Sequence, residues 1–298
     1  MNYRAFIEET VNELGRLYEP PEGRALAVRL LQHYCTKSPY EHLTEPSTLI
    51  SPDKFLLLKD AVKQLAMARP IQYVLGRQLF LGREFFIEEG VLIPRPETEE
   101  LVLWACSHIK AGLTIVDEAP ETGALTIVDA ACGSGITGIS LAASFPESIV
   151  YAFDISDKAI EVTKRNTHLF LPHNNLISFN YDLLSDAFEQ LPFNRADIIV
   201  SNPPYVTESD KKKMHRNVLE HEPPEALFVP DSDPLIFYKA LKRLSDHLLI
   251  PDGLLFMEIN EQFEAEVVSL FNDNYYAEIE TKRDLFDKPR MVKVQKRR

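Results

Sequence analysis

The first third of the chain carries apolar residues at the spacing of amphipathic helices. One such run consists of Phe6, Ile7, Val11, Leu14 and Leu17. A later run opens with Ser51, Pro52 and Asp53, where a capping serine, a proline in the first turn and an early acid together predict a helix start. Pro70 ends that run. The pattern predicts a small helical domain over residues 1–75.

The pattern changes after this domain, where aromatic and β-branched residues alternate with polar ones. The stretch RQLFLGREFFIEEGVLIP shows the alternation around Gly82 and Gly90. Alternation broken by glycines is typical of a β-hairpin. We therefore assign residues 76–93 to a hairpin linker and residues 94–298 to a second, larger domain.

From Thr126 onward, short apolar runs alternate with helical ones. The predicted strands are Thr126–Ala131, Ile149–Ile155, Leu176–Asp182, Asp197–Ser201, Gly253–Ile259, Tyr275–Thr281 and Met291–Val294. Helical stretches separate most of them, so we expect an α/β domain whose mainly parallel sheet has helices on both faces. Only residues 282–290 separate the last two strands, fewer than the crossover of about a dozen residues that a parallel pair needs. The last strand should therefore run antiparallel.

Charge and composition narrow the classes of function. The chain has 298 residues, of which 45% are hydrophobic and 26% are charged, and these proportions are typical of a globular protein. Its formal charge of -13 is a poor match for a function that covers nucleic acid with positive charge, so we expect no direct DNA binding. The three cysteines are widely spaced and predict neither a disulfide framework nor a metal site.

The amino terminus gives no sign of export. The opening MNYRAFIEETVNELGRL carries acids where a signal peptide would carry bases. No uninterrupted apolar run approaches the length of about 18 residues that a membrane-spanning helix needs. We therefore expect a cytoplasmic protein that does not bind membranes.

A glycine-rich turn follows the first predicted strand. In TIVDAACGSGITGIS, the turn Gly133-Ser134-Gly135 joins that strand to a helix whose first N–H groups lack helical partners. We expect a polar ligand at this turn. The string GSGITG also matches G-x-G-x-x-G, which by itself is a weak signal for a dinucleotide. A tight strand-to-helix connection without a ligand is the alternative.

Acidic residues lie near the ends of the first three predicted strands. Asp154, on the second strand, is placed to accept from a ribose diol. Asp182, on the third, could accept from the exocyclic amine of adenine while Leu183 packs against the base. Asp129, on the first, would repel a pyrophosphate but attract a cation. The acids therefore favour S-adenosylmethionine, which carries an ammonium and a sulfonium, over NAD.

The fourth predicted strand, in IIVSNPPYV, runs into Asn202, Pro203, Pro204 and Tyr205. Prolines cannot extend the strand's hydrogen bonds, so this tetrapeptide should lie at the sheet edge beside the glycine turn. A planar NH2 group is a poor nucleophile because its lone pair is delocalised. The side-chain oxygen of Asn202 and the carbonyl of Pro203 could each accept one of its N–H groups, and Tyr205 could supply a flat wall. We assign the tetrapeptide to catalysis by positioning and electrostatic support, without acid–base or metal chemistry.

These features resemble those of the class I S-adenosylmethionine-dependent methyltransferases, and Asn-Pro-Pro-Tyr resembles the signature of those that act on planar amino groups. The order of PIQYVLG, LIPRPETEELV, NPPY, EPPEAL and RDLFDKPRMVKV is similar to that in the protein-(glutamine-N5) methyltransferases of peptide chain release factors, the HemK/PrmC family. The resemblance spans nearly the whole chain. It implies a Rossmann-like fold with strand order 3-2-1-4-5-7-6, S-adenosylmethionine as cofactor, and methylation of the glutamine in the Gly-Gly-Gln motif of class I release factors.

The resemblance also implies roles for parts of the chain. The helical domain would help to grip the release factor, and residues 202–205 would hold its glutamine. Together with the acids above, the residues assigned to the cofactor are Asp129, Ala131, Cys132, Gly133, Ser134, Gly135, Asp154, Asp182, Leu183 and Asn202. Ala131 stands where the family usually has glycine. Arg95 and Glu97, in the PRPETE motif, have two interpretations: they shape the cofactor pocket, or they tie the hairpin down.

Three alternatives share parts of this pattern. An adenine-N6 methyltransferase acting on DNA or RNA would share the cofactor site and the tetrapeptide, but the acidic charge and the lack of a recognisable basic target domain count against it. An NAD-dependent oxidoreductase would share GSGITG, and both Asp129 and the tetrapeptide speak against that assignment. The third is a non-catalytic partner of the translation machinery that keeps the fold. The sequence leaves the oligomeric state open.

Overall fold

The computed structural model describes residues 1–36, 38–115 and 124–298, and it divides the chain into two units. The first consists of Met1–Arg77 and Met214–His221, and the second of Gln78–Lys213 and Glu222–Arg298. No helix among the described residues is long and apolar enough to cross a lipid bilayer.

The first unit consists of helices. They are α1 (Tyr3–Leu14), α2 (Pro20–Tyr34), α3 (Glu41–Thr44), α4 (Pro52–Ala66), α5 (Ile71–Leu75) and, later in the chain, α9 (Arg216–His221). The side chain of Asn2 caps α1 by accepting from the N–H of Ala5 at 2.9 Å. Ser51 lies at the N-cap of α4, so the predicted helix start is confirmed, but its side chain makes no capping hydrogen bond. Pro52, whose φ already suits a helix, occupies the first turn.

The apolar stripes of these helices meet in one core. Its fully buried members include Leu14, Leu30, Leu31, Leu58 and Leu65. Leu17, which the helical pattern included, follows the end of α1 and is 37% exposed. The core of the unit is therefore built by the periodic apolar positions within α1, α2 and α4.

A seven-stranded sheet forms the centre of the second unit. Two strands precede it, β1 (Arg77–Phe80) and β2 (Arg83–Phe86), and the sheet itself contains β3 (Thr126–Ala130), β4 (Ile149–Asp154), β5 (Leu176–Asn180), β6 (Ala196–Ser201), β9 (Leu249–Glu258), β10 (Tyr276–Arg283) and β11 (Pro289–Lys296). A separate parallel pair consists of β7 (Val206–Thr207) and β8 (Phe228–Val229).

The strand order in the large sheet is β5-β4-β3-β6-β9-β11-β10. The first five of these strands run parallel, whereas β11 is antiparallel to both β9 and β10. The predicted mainly parallel sheet, its antiparallel last strand and the order 3-2-1-4-5-7-6 are confirmed.

Helices cover both faces of this sheet. They are α6 (Pro96–Ile115), α7 (Ile136–Ser144), α8 (Asp157–Phe170), α10 (Ile236–Leu248) and α11 (Glu264–Phe271). Neighbouring strand residues alternate between two buried clusters: Ile127 belongs to the cluster that contains α6 and α7, and Val128 to the cluster that contains α10 and α11. Because both faces are buried, the central strands read as nearly continuous apolar runs.

The hairpin of β1 and β2 is connected to the glycine turn through one buried asparagine. The chain turns at Gly82, whose φ is +75°, as the hairpin prediction expects. Asn166 of α8 is fully buried and accepts from the N–H of Phe86 at 2.8 Å. Its NH2 group donates to the carbonyls of Phe86 at 3.0 Å and of Ser134 at 2.9 Å. A single amide therefore holds the hairpin and the glycine turn to the same helix.

The turn between β3 and α7 has an unusual backbone. Ala131, Gly133 and Gly135 have φ values of +57°, +55° and +74°. Glycine adopts this left-handed region freely, whereas an L-residue pays about 1–2 kcal/mol. At Gly135, a Cβ would lie 2.6 Å from the Cγ2 of Thr163, so the turn packs too closely against α8 for any side chain. Ala131 is thus the strained residue of the turn.

Replacing Ala131 by glycine should relieve this strain. Glycine also raises the entropy of the unfolded chain, which offsets part of this gain. We therefore expect Ala131→Gly to raise the free energy of unfolding by a net of about 0.5–1 kcal/mol. Urea denaturation, followed by the fluorescence of Trp104 in α6, measures the change. Ala152→Gly, in the middle of β4, is the control and should destabilise, because that alanine is extended and fully buried. A lower stability for Ala131→Gly would contradict the assigned strain.

Candidate active site

Most of the predicted site residues meet at one edge of the sheet. The parallel strands β3, β4 and β6 end there side by side, since Ala130 pairs with both Phe153 and Ser201. A cavity of about 200 Å³ opens at this edge. The predicted residues that line it are Ala131, Gly133, Asp154, Asp182, Leu183, Asn202 and Pro204. A smaller cavity of about 40 Å³ shares three of these residues, and its further predicted lining residues are Asp129, Cys132 and Ser134. Gly135, Pro203 and Tyr205 are not part of either lining.

Asp154 ends β4 with both carboxylate oxygens held in place. One oxygen accepts from the N–H of Gly133 at 2.9 Å, and the other accepts from the N–H of Ser156 at 2.9 Å. Burial raises the pKa of Asp154, and these backbone hydrogen bonds act in the opposite direction. Each oxygen of a carboxylate can accept a further hydrogen bond. Asp154 can therefore brace the glycine turn and still accept from hydroxyl groups in the cavity.

Asp129 lies beneath the glycine turn. Its side chain is 1% exposed and accepts from the N–H of Gly138, in the first turn of α7, at 2.7 Å. The pKa of Asp129 is raised to about 7, mainly by burial; the charge of Asp154 also raises it, and the hydrogen bond from Gly138 lowers it. Asp129 thus has a structural role that was not predicted, because its carboxylate accepts from a helix N–H. It also lines the smaller cavity, where it was expected to face a ligand.

The charged side chains that line the larger cavity are all acidic. They are Asp154, Asp182 and Glu225, and no lysine or arginine occurs among the described lining residues. Asp182 is exposed, and one of its oxygens accepts from the N–H of Leu184 at 2.8 Å. A ligand carrying phosphates would meet only like charge here, whereas a cationic ligand would be stabilised.

Apolar residues that the sequence patterns did not identify supply the walls of the larger cavity. Besides the predicted Leu183, these include Val91, Leu92, Phe153, Ile155, Tyr181 and Phe237. Ala226 and Pro223, from the EPPEAL motif, also line it. Apolar side chains look the same in a sequence whether they face a ligand or the core, so the available signal was membership of a motif, LIPRPETEELV for Leu92 and EPPEAL for Pro223 and Ala226.

A network of buried hydrogen bonds fixes the side chain of Asn202. Its side-chain NH2 donates to the Oγ1 of Thr98 at 3.0 Å, and Thr98 donates to the carboxylate of Glu258 at 2.9 Å. The hydroxyl of Tyr205 donates to the other oxygen of the same carboxylate at 2.7 Å. The sequence patterns identify neither Thr98 nor Glu258. Thr98 lies within PRPETE, which was the one available signal.

Arg95 joins two of the sequence motifs. Its guanidinium contacts the carboxylate of Glu222 at 2.8 Å, and the other oxygen of Glu222 accepts from the N–H of Ile93 at 3.1 Å. The side chain of Glu222 is only 1% exposed. This ion pair connects PRPETE to the EPPEAL segment, part of which lines the cavity, and Glu222 also holds Ile93 at the end of the hairpin linker, so the contacts fit both interpretations left open for Arg95. Glu97 lies in the first turn of α6; burial raises the pKa of Glu258, and the charge of Glu97 adds to this effect.

Known proteins are similar in sequence to this chain over almost its full length. Residues 110–227 match the model of the methyltransferase small domain family. The chain is 36% identical to the release factor glutamine methyltransferase of Flavobacterium psychrophilum over 293 residues, which is 98% of each chain. It is 34% identical to that of Bacteroides thetaiotaomicron over 97% of each chain. It is 30% identical to that of Chlorobaculum tepidum over 94% of this chain and 89% of that one.

The names of these relatives specify the methylation of glutamine in release factors, so the adenine-N6 alternative is not favoured. The resemblance based on the motifs is confirmed by identities of 30% to 36% that extend through both units. This chain belongs to the release factor glutamine methyltransferases.

Proposed function

We propose that this protein transfers a methyl group from S-adenosylmethionine to the side-chain amide nitrogen, N5, of the glutamine in the Gly-Gly-Gln motif of class I peptide chain release factors. The observation that carries the proposal is the position of Asn202, whose amide lies at the cavity beside the glycine turn and is held from behind by Thr98. Membership of the release factor glutamine methyltransferases supports the choice of substrate.

The described residues fit this cofactor. Asp154 would accept from its ribose hydroxyls, and Asp182 from the adenine amine, with Leu183 against the base. The turn residues Ala131, Cys132, Gly133 and Ser134 would let the backbone approach it closely, Gly135 would shape the turn from outside the two cavities, and Asp129 would face its ammonium group. When bound, S-adenosylmethionine supplies an electrophilic methyl group on a sulfonium and leaves as S-adenosylhomocysteine. The acidic cavity supports a cationic ligand rather than the pyrophosphate of NAD.

The tetrapeptide would prepare the glutamine amide for attack. In an amide, delocalisation of the lone pair into the carbonyl group makes the nitrogen planar and weakly nucleophilic. The side-chain oxygen of Asn202 and the carbonyl of Pro203 would each accept one N–H of the substrate, which orients the nitrogen and concentrates electron density on it. Both prolines are buried, so the carbonyl direction is rigid. The product nitrogen would lose its proton to water without a dedicated base.

We also propose a role for the rest of the chain. The helical domain, residues 1–75, would help to hold the release factor, and its exposed apolar side chains Tyr40, Leu43 and Leu49 support such a contact. Residues 76–93 would link it to the methyltransferase domain, residues 94–298. Release factors act in the cytoplasm, which is where we place this protein.

The most direct test of the function is to identify the methylated atom. Purified protein is incubated with labelled S-adenosylmethionine and a purified release factor, and the modified residue is mapped by mass spectrometry. We expect label on the Gly-Gly-Gln glutamine and none after that glutamine is replaced by alanine. A parallel incubation with DNA and RNA tests the adenine alternative. Label on nucleic acid alone would overturn the proposal.

Removing the charge of Asp154 should weaken cofactor binding. Charged hydrogen bonds are worth about 1.5–3 kcal/mol, so we expect Asp154→Asn to lower the affinity for S-adenosylmethionine by about tenfold to a hundredfold in calorimetric titration. Asp157→Asn is the control, because it changes the net charge equally at an exposed site. Circular dichroism checks that the variants remain folded. Unchanged affinity in a folded Asp154→Asn would remove Asp154 from the site.

Removing the side chain of Asn202 should affect turnover more than cofactor binding. Asn202→Ala takes away one of the two acceptors, so we expect the rate of methyl transfer to fall by about tenfold or more while the affinity for S-adenosylmethionine stays nearly normal. Asn194→Ala, at an exposed position, should leave both unchanged. Normal turnover by Asn202→Ala would reject the role assigned to Asn202.

A further inference from the structure

The amide of Asn202 has two faces with opposite chemistry. Its oxygen accepts hydrogen bonds and its NH2 group donates them, and a rotation of the amide by half a turn exchanges the two. The proposed function requires the oxygen to face the substrate. We infer that Thr98 and Glu258 are positioning residues that fix the amide of Asn202 with its oxygen toward the substrate nitrogen. This inference rests on the proposed function.

The direction of each hydrogen bond follows from Glu258. A carboxylate can only accept, and Thr98 has a single hydroxyl proton, which it gives to Glu258 at 2.9 Å. The oxygen of Thr98 can then only accept, so its partner must be a donor. That partner is the NH2 group of Asn202, at 3.0 Å. A flipped Asn202 would place two acceptors against each other.

Burial makes this restriction effective. Thr98 is 3% exposed and Glu258 is 1% exposed, so water cannot readily take the place of a missing donor. The unpaired acceptors of a flipped Asn202 would remain in a low-dielectric environment, where an unsatisfied polar group is costly. The network therefore selects one of the two orientations.

Two hydrogen-bond donors, Thr98 and Tyr205, each contact one oxygen of the buried Glu258 carboxylate. Burial raises the pKa of Glu258 and the charge of Glu97 adds to this, whereas the hydrogen bonds from Tyr205 and Thr98 and the charge of Arg290 lower it. Arg290 is itself held by the buried carboxylate of Asp284 at 3.1 Å. The two hydrogen bonds and the charge of Arg290 thus offset part of the cost of burying Glu258.

The sheet register brings these groups together. Ser201, the last residue of β6, pairs with Met257 of β9, so Asn202, just past β6, and Glu258, at the end of β9, come next on two adjacent parallel strands. Glu258 also accepts from Tyr205, so both ends of the tetrapeptide are connected to the same carboxylate. Asn260 adds a further restraint by donating from its NH2 group to the carbonyl of Tyr205 at 3.0 Å.

The test removes only the hydroxyl of Thr98. Thr98→Val keeps the shape of the side chain but cannot accept from Asn202, and Thr98→Ser keeps the hydroxyl. We expect kcat for release factor methylation to fall by about tenfold in Thr98→Val, with the affinity for S-adenosylmethionine unchanged, and Thr98→Ser to recover most of the rate. Thr167→Val, which removes a buried hydroxyl of α8 outside this network, should keep normal turnover.

A double-mutant cycle separates positioning from general destabilisation. If Thr98 acts through Asn202, then adding Thr98→Val to Asn202→Ala should change the remaining rate by less than about twofold. An equal loss in both backgrounds would overturn the inference. So would normal turnover in Thr98→Val.

A spectroscopic measurement tests the orientation without a substrate. The side-chain amide signals of Asn202 in ¹⁵N-labelled protein are assigned by their loss in Asn202→Ala. We expect slow hydrogen exchange of the NH2 protons in the wild type and in Thr98→Ser, and faster exchange in Thr98→Val and Glu258→Gln. Equal exchange in all four proteins would overturn the inference. Failure of the wild type to methylate release factors would instead count against the proposed function and leave this readout intact.

Discussion

The parallel pairing of β3, β4, β6 and β9 is the constraint on which the site depends. In a parallel sheet the carboxyl ends of all strands lie on the same side of the sheet, and the last residues of neighbouring strands are within contact distance. This is how Ala131, Asp154, Asn202 and Glu258, which are far apart in the sequence, become neighbours. An antiparallel arrangement of the same strands would place half of these groups at the opposite edge.

The site gathers buried carboxylates and compensates each one locally. Asp129 accepts from a helix N–H, Asp154 from two backbone N–H groups, and Glu258 from the hydroxyls of Thr98 and Tyr205. These bonds offset part of the cost of burial, which raises the pKa of all three acids. The result is a cavity with acceptors and negative charge but little basic character. Such a cavity suits a cationic methyl donor and a substrate that donates two N–H bonds.

Much of the fold could be predicted from the sequence because its signals are local. The apolar runs of β3 and β6 mark buried strands, the short connection before β11 predicts an antiparallel strand, and glycines mark the turn before α7. Ser51 marked the start of α4 correctly, but its side chain makes no capping bond, because a favoured residue type does not guarantee that bond. The left-handed backbone of Ala131 was not predicted, since alanine itself does not indicate positive φ and the one hint was that the family usually has glycine at this position.

Site residues could be predicted where the type and position of a single residue indicate its function. They could not be predicted where the function depends on a hydrogen bond between two residues that are distant in the sequence. Asn202 and Asp154 are polar residues at strand ends and can be selected one at a time. Thr98 and Glu258 are 160 positions apart, and each alone looks like an ordinary buried polar residue. Their meaning comes from the hydrogen bonds they share with Asn202 and Tyr205, and only tertiary structure reveals these.

In the proposed mechanism, oxygen atoms of the chain accept hydrogen bonds from both N–H groups of the glutamine amide. The most direct measurement is a crystal structure of this protein with S-adenosylhomocysteine and a release factor. We predict that the glutamine nitrogen lies about 3 Å from both the side-chain oxygen of Asn202 and the carbonyl oxygen of Pro203. A glutamine nitrogen that is out of hydrogen-bond range of these oxygens, or that faces the NH2 group of Asn202, would contradict the account.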